Sequence, residues 1–174
     1  MKEWKKPQLP VPFPLVVVVS GQEKPNPSTY IFFGQFNEHP PVIGIGIKEK
    51  RYTYKLIKES GEFTVNFVNR ELLRSADEAG FLSGWKTDKS KLFKWRRSSI
   101  VKPPHIEEAP LSMEVKLLEE IEFTDHVLIL GQVVKMWAKE EVSERDFILS
   151  VYRNAEYYEV GDLIERWGFH RRHN

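Results

Sequence analysis

The sequence predicts a mainly β fold, an antiparallel barrel with short helices at its side or rim. Three observations carry that expectation. Residues 112–123 and 126–138 read as two long strands joined only through Thr124 and Asp125, the spacing of an antiparallel pair. The run 15-LVVVVS-20 is dominated by valine, which favours a buried strand. The segment 42-VIGIGIK-48 alternates isoleucine with glycine, which suits a tightly curved strand or one that another group approaches closely.

The elements follow in chain order. Residues 1–14 hold four prolines and are expected to form an extended arm. After the valine strand, 21–27 is turn-forming, 29–33 is a strand and 42–48 is another. Residues 52–61 form a short helix, with Thr53 as N-cap and Gly61 ending it. Residues 62–68 alternate as a strand. Asn69 is placed to cap a second helix over 70–79, stopped by Gly80. Residues 81–110 read as irregular, with Pro103 and Pro104 near their end. Beyond the two long strands, 147–152 is a further strand and 162–174 is a basic, aromatic tail. No repeat, low-complexity tract or linker divides the chain, so 1–174 is read as one domain.

Composition narrows the chemistry. The formal net charge is +1, so no global field points to nucleic acid as the main partner. The absence of cysteine excludes a disulfide framework, a thiolate nucleophile and a cysteine-ligated metal or cluster. Together with a charged fraction of 29%, it fits a cytoplasmic protein. The apolar run at 15–19 is too short to span a membrane, and no signal-peptide cleavage site follows it. His39 and His105 lie beside prolines in separate segments, and no metal-ligand spacing is present, so no metal is expected. There is no P-loop, no G-x-G-x-x-G and no Ser/His/Asp order.

Four clusters are candidates for chemistry, each with a plain structural alternative. The segment 50-KRYT-53 opens a helix, whose free N–H groups, with Arg51 and the Thr53 hydroxyl, suit a phosphate; an ordinary helix cap explains it as well. The lysines of 86-KTDKSK-91 suit an anion or a solvated loop. His126 sits between the long strands, where it donates to a ligand, moves a proton or merely occupies a turn. The stretch 26-NPSTYIFFG-34 places Asn26, Ser28 and Thr29 before an aromatic strand. That suits a planar heteroaromatic ligand, or a simple hairpin.

Read in order, these pieces resemble the flavin reductase-like family with the FMN-binding split-barrel fold, in its ferric reductase and flavoredoxin branch. The matching stretches are 14-PLVVVVS-20, 25-PNPSTYIFF-33, 40-PPVIGIGI-47, 51-RYTYKLIKESGEFTVN-66, 88-DK-89, 125-DHVLILGQV-133 and 157-YYEVG-161. The resemblance implies a split barrel, a homodimer and FMN in a groove near the subunit interface. It places Asn26, Ser28, Thr29, Tyr30, Ile31, Phe32, Phe33 and Gly34 along the flavin ring, with 34–41 as the loop beyond. Arg51, Tyr52, Thr53 and Lys89 would hold the phosphate. His126 would lie near the flavin and the nicotinamide, and Tyr157 and Tyr158 would reach the site from the partner subunit. Three departures stand out: the bulk of 30-YIFF-33, Pro27 at a usually aliphatic position, and Val115 where relatives often carry cysteine.

The resemblance implies an FMN-dependent oxidoreductase that takes a hydride from NAD(P)H. Its electrons would pass to a free flavin, a ferric chelate or a protein. The alternative is an FMN electron carrier reduced by a partner protein. A nucleic-acid-binding barrel, supported only by the tail 166-RWGFHRRH-173, is disfavoured by the near-neutral charge.

Overall fold

The computed structural model describes residues 3, 5–151 and 156–162. The chain runs through β1 (Phe13–Pro14), β2 (Val16–Ser20), β3 (Asn26–Tyr30), β4 (Phe33–Glu38), β5 (Pro41–Ile47) and α1 (Tyr52–Ser60). It continues through β6 (Glu62–Phe67), α2 (Leu73–Phe81), β7 (Trp95–Arg96) and β8 (His105–Ile106). It closes with β9 (Leu111–Glu122), β10 (Val127–Ala138), β11 (Ile148–Val151) and β12 (Glu156–Glu159).

Seven strands form one antiparallel sheet in the order β3-β2-β6-β9-β10-β5-β4. The edge strand β3 returns to touch β5, so the sheet curls into an incomplete barrel. The mainly β, antiparallel fold with two helices is the one expected from the sequence. The valine run explains its own composition, because β2 is buried on both faces. Val16 and Val18 point into the barrel with Ile45, Phe63 and Val115, under Tyr54 and Ile57 of α1. Val17 and Val19 point out, against Ala76 and Ala79 of α2, Phe93 and Ile148. A strand with no wet face has no reason to alternate. Each fully buried valine contributes on the order of 2 kcal/mol of transfer free energy.

Helix α1 ends where the sequence places its end. Gly61 takes the left-handed conformation (φ 68°) and donates its N–H to Ile57 O at 2.8 Å. Its start differs: the N-cap is Arg51 without any side-chain cap, and Thr53 lies inside the first turn. The third strand begins at Asn26, because Asn26 and Pro27 pair in register with Ser20 and Val19. Pro27 is tolerated because β3 is an edge strand. Residues 34–41, expected as a loop, are mostly strand β4, the other edge of the sheet. Its solvated face carries the polar residues that read as loop.

The second helix starts later than expected, at Leu73. Asn69 Oδ1 accepts the Leu72 N–H at 3.0 Å in the preceding turn. Gly80 does not stop the helix; it lets α2 lie on β3, where an added Cβ would stand 3.2 Å from Thr29 Cβ. The stretch 81–110 is not wholly irregular. It holds a 3₁₀ turn at Ser90–Leu92 and the short β7–β8 pair. The arm also ends in order, with β1 paired to β11. The expected tail at 162–174 and Tyr152 lie largely outside the described residues. No helix of the described residues is long and apolar enough to cross a membrane.

Candidate functional site

The first turn of α1 and the edge strand β3 face each other and frame a cradle. Asn26 Nδ2 joins them, donating to Thr53 Oγ1 at 3.1 Å and lying 3.3 Å from Ser20 Oγ. The cradle is a pocket of about 180 Å³ whose lining includes Ser28, Lys50, Arg51, Thr53 and Lys89 and, among the described residues, no carboxylate. The helix contributes its uncapped N-terminus and has no acidic residue in its first turn. Free N–H groups, the positive dipole end and three cations therefore converge without a counter-charge.

Lys89 shows the cost of that convergence. Its side chain is buried, and Nζ donates to Ala79 O at 3.1 Å. Burial, and then the neighbouring Arg51, pull its pKa down to about 8. The Tyr30 hydroxyl is buried too, close to Thr53, Ser28 and Arg51. Burial raises its pKa, while Thr53, Ser28 and Arg51 pull it back. A bound dianion would favour the charged form of Lys89.

A strap formed by residues 83–89 closes one side of the cradle. Trp85 Nε1 donates to Lys50 O at 3.1 Å, and its ring packs on Tyr52 with centroids 4.7 Å apart. Lys55 lies over both rings. Lys24 pairs with Asp88 at 2.9 Å; that contact, then the Ser90 backbone N–H, holds the Asp88 carboxyl down at about 2. Gly84 fits only as glycine, since a Cβ there would lie 2.3 Å from Asn26 Oδ1. A polar lobe of about 260 Å³ continues beyond Tyr52 and Trp85.

In the other direction Lys50 also lines a pocket of about 340 Å³ that reaches Asp125 and His126. His126 in turn borders an apolar pocket of about 500 Å³ lined by Phe13, Phe32, Phe33, Phe36, Phe123 and Leu128. His126 Nδ1 stands 3.1 Å from Asp125 Oδ1, and its ring meets Phe32 edge-on at 5.3 Å. Through these shared residues a cationic end and an aromatic end adjoin a middle pocket that also carries Glu49, Glu122 and Asp125. That division fits a phosphate-bearing ligand with a flat heteroaromatic ring, such as FMN.

The structure thus gathers Asn26, Ser28, Tyr30, Arg51, Tyr52, Thr53 and Lys89 at one end, and Phe32, Phe33, Gly34 and His126 at the other. It turns two expected residues away. The Thr29 hydroxyl donates to Ala76 O of α2, and Ile31 packs on the outer core. Their strand still offers polar backbone, because among the described residues no further strand pairs with the outer side of β3. Tyr157 and Tyr158 lie on β12, away from the groove within one chain. The Tyr157 hydroxyl donates to Asp77, and Tyr158 Oη to Glu156 at 2.6 Å. Val115 is buried in the barrel. Sequence reasoning missed Trp85, Gly84 and Phe36. The glycines at 44 and 46 were the available signal for Phe36, since they hold room for rings from β4 and the residues before it.

Comparison with known proteins gives a consistent picture. The model of the flavin reductase like domain matches residues 9–161. An uncharacterized protein of Archaeoglobus fulgidus is 37% identical over 125 residues, 71% of each chain. Among solved structures, flavoredoxin from Methanosarcina acetivorans superposes with a TM-score of 0.90 at 25% identity, covering 95% of this chain and 94% of that one. Flavoredoxin of Desulfovibrio vulgaris (Miyazaki F) gives 0.84 at 26% identity, covering 95% and 97%.

Proposed function

The chain belongs to the flavin reductase-like family, with its split-barrel fold, and on that premise we propose that it is an FMN-binding oxidoreductase. In this reading it takes a hydride from NAD(P)H and passes electrons to a second acceptor. The observation that supports it is the cradle of Arg51, Lys50 and Lys89 at the start of α1, whose lining among the described residues holds no carboxylate. Bound FMN would supply the two-electron redox chemistry. Arg51, Thr53, Ser28 and Lys89 would hold its phosphate, with the N–H groups of the first turn of α1. Backbone groups along the open edge of β3 would line its ring. His126, oriented by Asp125, would border the face open to the hydride donor and hold a proton there. A homodimer would bring the partner's β12 aromatics towards the groove.

Two measurements test the reading. Purified protein should take up FMN and show a flavin spectrum; a colourless protein that ignores added FMN defeats the proposal. Rapid mixing of the FMN-loaded protein with NADH or NADPH should bleach the flavin. The likeness to two flavoredoxins favours a second reading, an FMN carrier reduced by a partner protein. Stable flavin colour in the presence of either nucleotide would select that reading.

A further inference from the structure

We propose that Lys89 is a covalent modification site, at which phosphate monoesters that carry an aldehyde form an imine and so control the loading of the cradle. The inference rests on the phosphate reading of the cradle for recognition, but its chemistry belongs to the lysine. Lys89 is 3% exposed, and it lines both the cradle and the polar lobe beyond it. Spaces of about 180 Å³ and about 260 Å³ therefore meet at this side chain. Its Nζ donates to a neutral acceptor, Ala79 O, at 3.1 Å. The neighbouring carboxylate, Asp88, is engaged by Lys24 at 2.9 Å. Among the described residues no carboxylate pairs with Lys89.

Such surroundings make an amine nucleophilic. A neutral amine donates one N–H to Ala79 O and keeps a free electron pair, which the ammonium form lacks. The charged groups around it are Arg51 and Lys50 in the cradle, and Lys24, Lys86 and Asp88 in the lobe. Burial, and then Arg51, bring the amine down to about 8, so a large share of it is free base near that pH. Desolvation beside a second cation is a general way to make a lysine attack carbonyl carbon. Recognition comes from the neighbours. Arg51, the Thr53 and Ser28 hydroxyls and the first-turn N–H groups of α1 suit a phosphate. A ligand that joins phosphate and aldehyde through a short carbon frame uses both features. The Nζ electron pair bonds to the aldehyde carbon, and the carbonyl oxygen leaves as water with the two amine hydrogens. The imine nitrogen then takes a proton from solvent and stands as a cation beside the phosphate. The step needs no oxidant or reductant, and water reverses it. FMN carries the phosphate without an aldehyde, so it competes for the cradle and does not react.

The test is labelling of the full-length protein with pyridoxal 5′-phosphate, before and after FMN is added. Borohydride fixes the imine, and peptide mass spectrometry locates it. In the FMN-free protein Lys89 should be labelled ahead of the exposed lysines Lys50, Lys55 and Lys86. The rate should rise as pH rises towards about 8. Pyridoxal, which lacks the phosphate, should label Lys89 at least about tenfold more slowly, and inorganic phosphate should slow the phosphorylated reagent. Arg51→Ala should reduce the rate with pyridoxal 5′-phosphate to that seen with pyridoxal. Label confined to Lys50, Lys55 and Lys86 would overturn the proposal. So would equal rates for the two reagents, or labelling of Lys89 that inorganic phosphate does not slow. FMN should block the labelling. Labelling of Lys89 that phosphate slows and FMN does not would support the site and sink the flavin reading. FMN uptake by a protein whose Lys89 stays unlabelled without FMN would do the reverse.

Discussion

Asn26 Nδ2 donates to Thr53 Oγ1 at 3.1 Å, a bond across 27 positions that fixes the edge strand β3 to the first turn of α1. Both side chains are buried, and the same amide reaches Ser20. The two walls of the cationic cradle are therefore held in register by one side chain. Asn26→Ala leaves two hydroxyls buried without their partner and should lower stability by about 1–3 kcal/mol. It should also weaken FMN binding roughly tenfold, since the phosphate groups lose their fixed spacing. Urea unfolding and quenching of FMN fluorescence measure the two effects. A variant that keeps the parent FMN affinity would show that the cradle does not depend on this bond.

Lys89 gives the site a pH signature. Its pKa in the free protein is pulled down to about 8 by burial and by Arg51. A phosphate favours the charged form, so FMN binding should raise that pKa and take up a proton. Affinity should hold below pH 8 and fall as the pH rises above it. Calorimetry near pH 8.5 in buffers of different ionisation heat should detect the uptake. The sign for folding is opposite: the unfolded lysine keeps its proton to higher pH, so the FMN-free protein should gain stability as pH rises through 8. Lys89→Met should abolish both pH effects and cost about 10–100-fold in FMN affinity. Arg51→Ala should also weaken FMN binding. Proton uptake that persists in Lys89→Met would assign the signature elsewhere.

Gly84 holds the strap against the cradle. Its hypothetical Cβ would lie 2.3 Å from Asn26 Oδ1 and 2.9 Å from Tyr52 Cδ1. Gly84→Ala must push the strap away, and Trp85 and Lys89 move with it. The strap is largely exposed, so the melting temperature should change by no more than about 2–3 °C. FMN affinity should fall about tenfold and the off-rate should rise. An unchanged off-rate would mean that the strap does not retain the ligand.

The residues that the sequence made legible are those whose chemistry is local. Gly61 read as a helix end, and the valine run read as a buried strand. The pairing of Arg51 with a helix N-terminus was readable for the same reason. What stayed hidden depends on contacts made across the fold. Gly80 reads as a helix stop, but it serves the approach of Thr29 from β3. Thr29 reads as a ligand contact, but Ala76 of α2 takes its hydroxyl. Polar residues at 34–38 read as loop because an edge strand needs no apolar face. Residues 99–101 read as irregular because their N–H groups pair with a carboxylate from β9, 13 to 15 positions away.

That carboxylate belongs to Glu114, and it yields a last prediction. Glu114 is wholly buried. Its Oε1 accepts from Ser99 N at 2.9 Å and Trp137 Nε1 at 2.8 Å; its Oε2 accepts from Ile100 N at 2.6 Å and Val101 N at 3.1 Å. Burial acts to raise its pKa. The donors from Ser99, Trp137, Ile100 and Val101 outweigh burial and bring it down to about 2, against an ordinary 4.5. Because the folded value is the lower one, the stabilisation is complete above about pH 4.5 and is lost as pH falls towards 2. The shift corresponds to about 3 kcal/mol. Glu114→Gln loses the charge and turns amide donors onto backbone N–H groups. It should be less stable by about that amount at pH 7 and should lose stability less steeply between pH 4.5 and 2. Glu114 lies outside the groove, so FMN affinity at pH 7 should match the parent. Urea midpoints across that pH range decide the matter: parallel curves for parent and variant would show that this carboxylate does not carry the acid sensitivity of the fold.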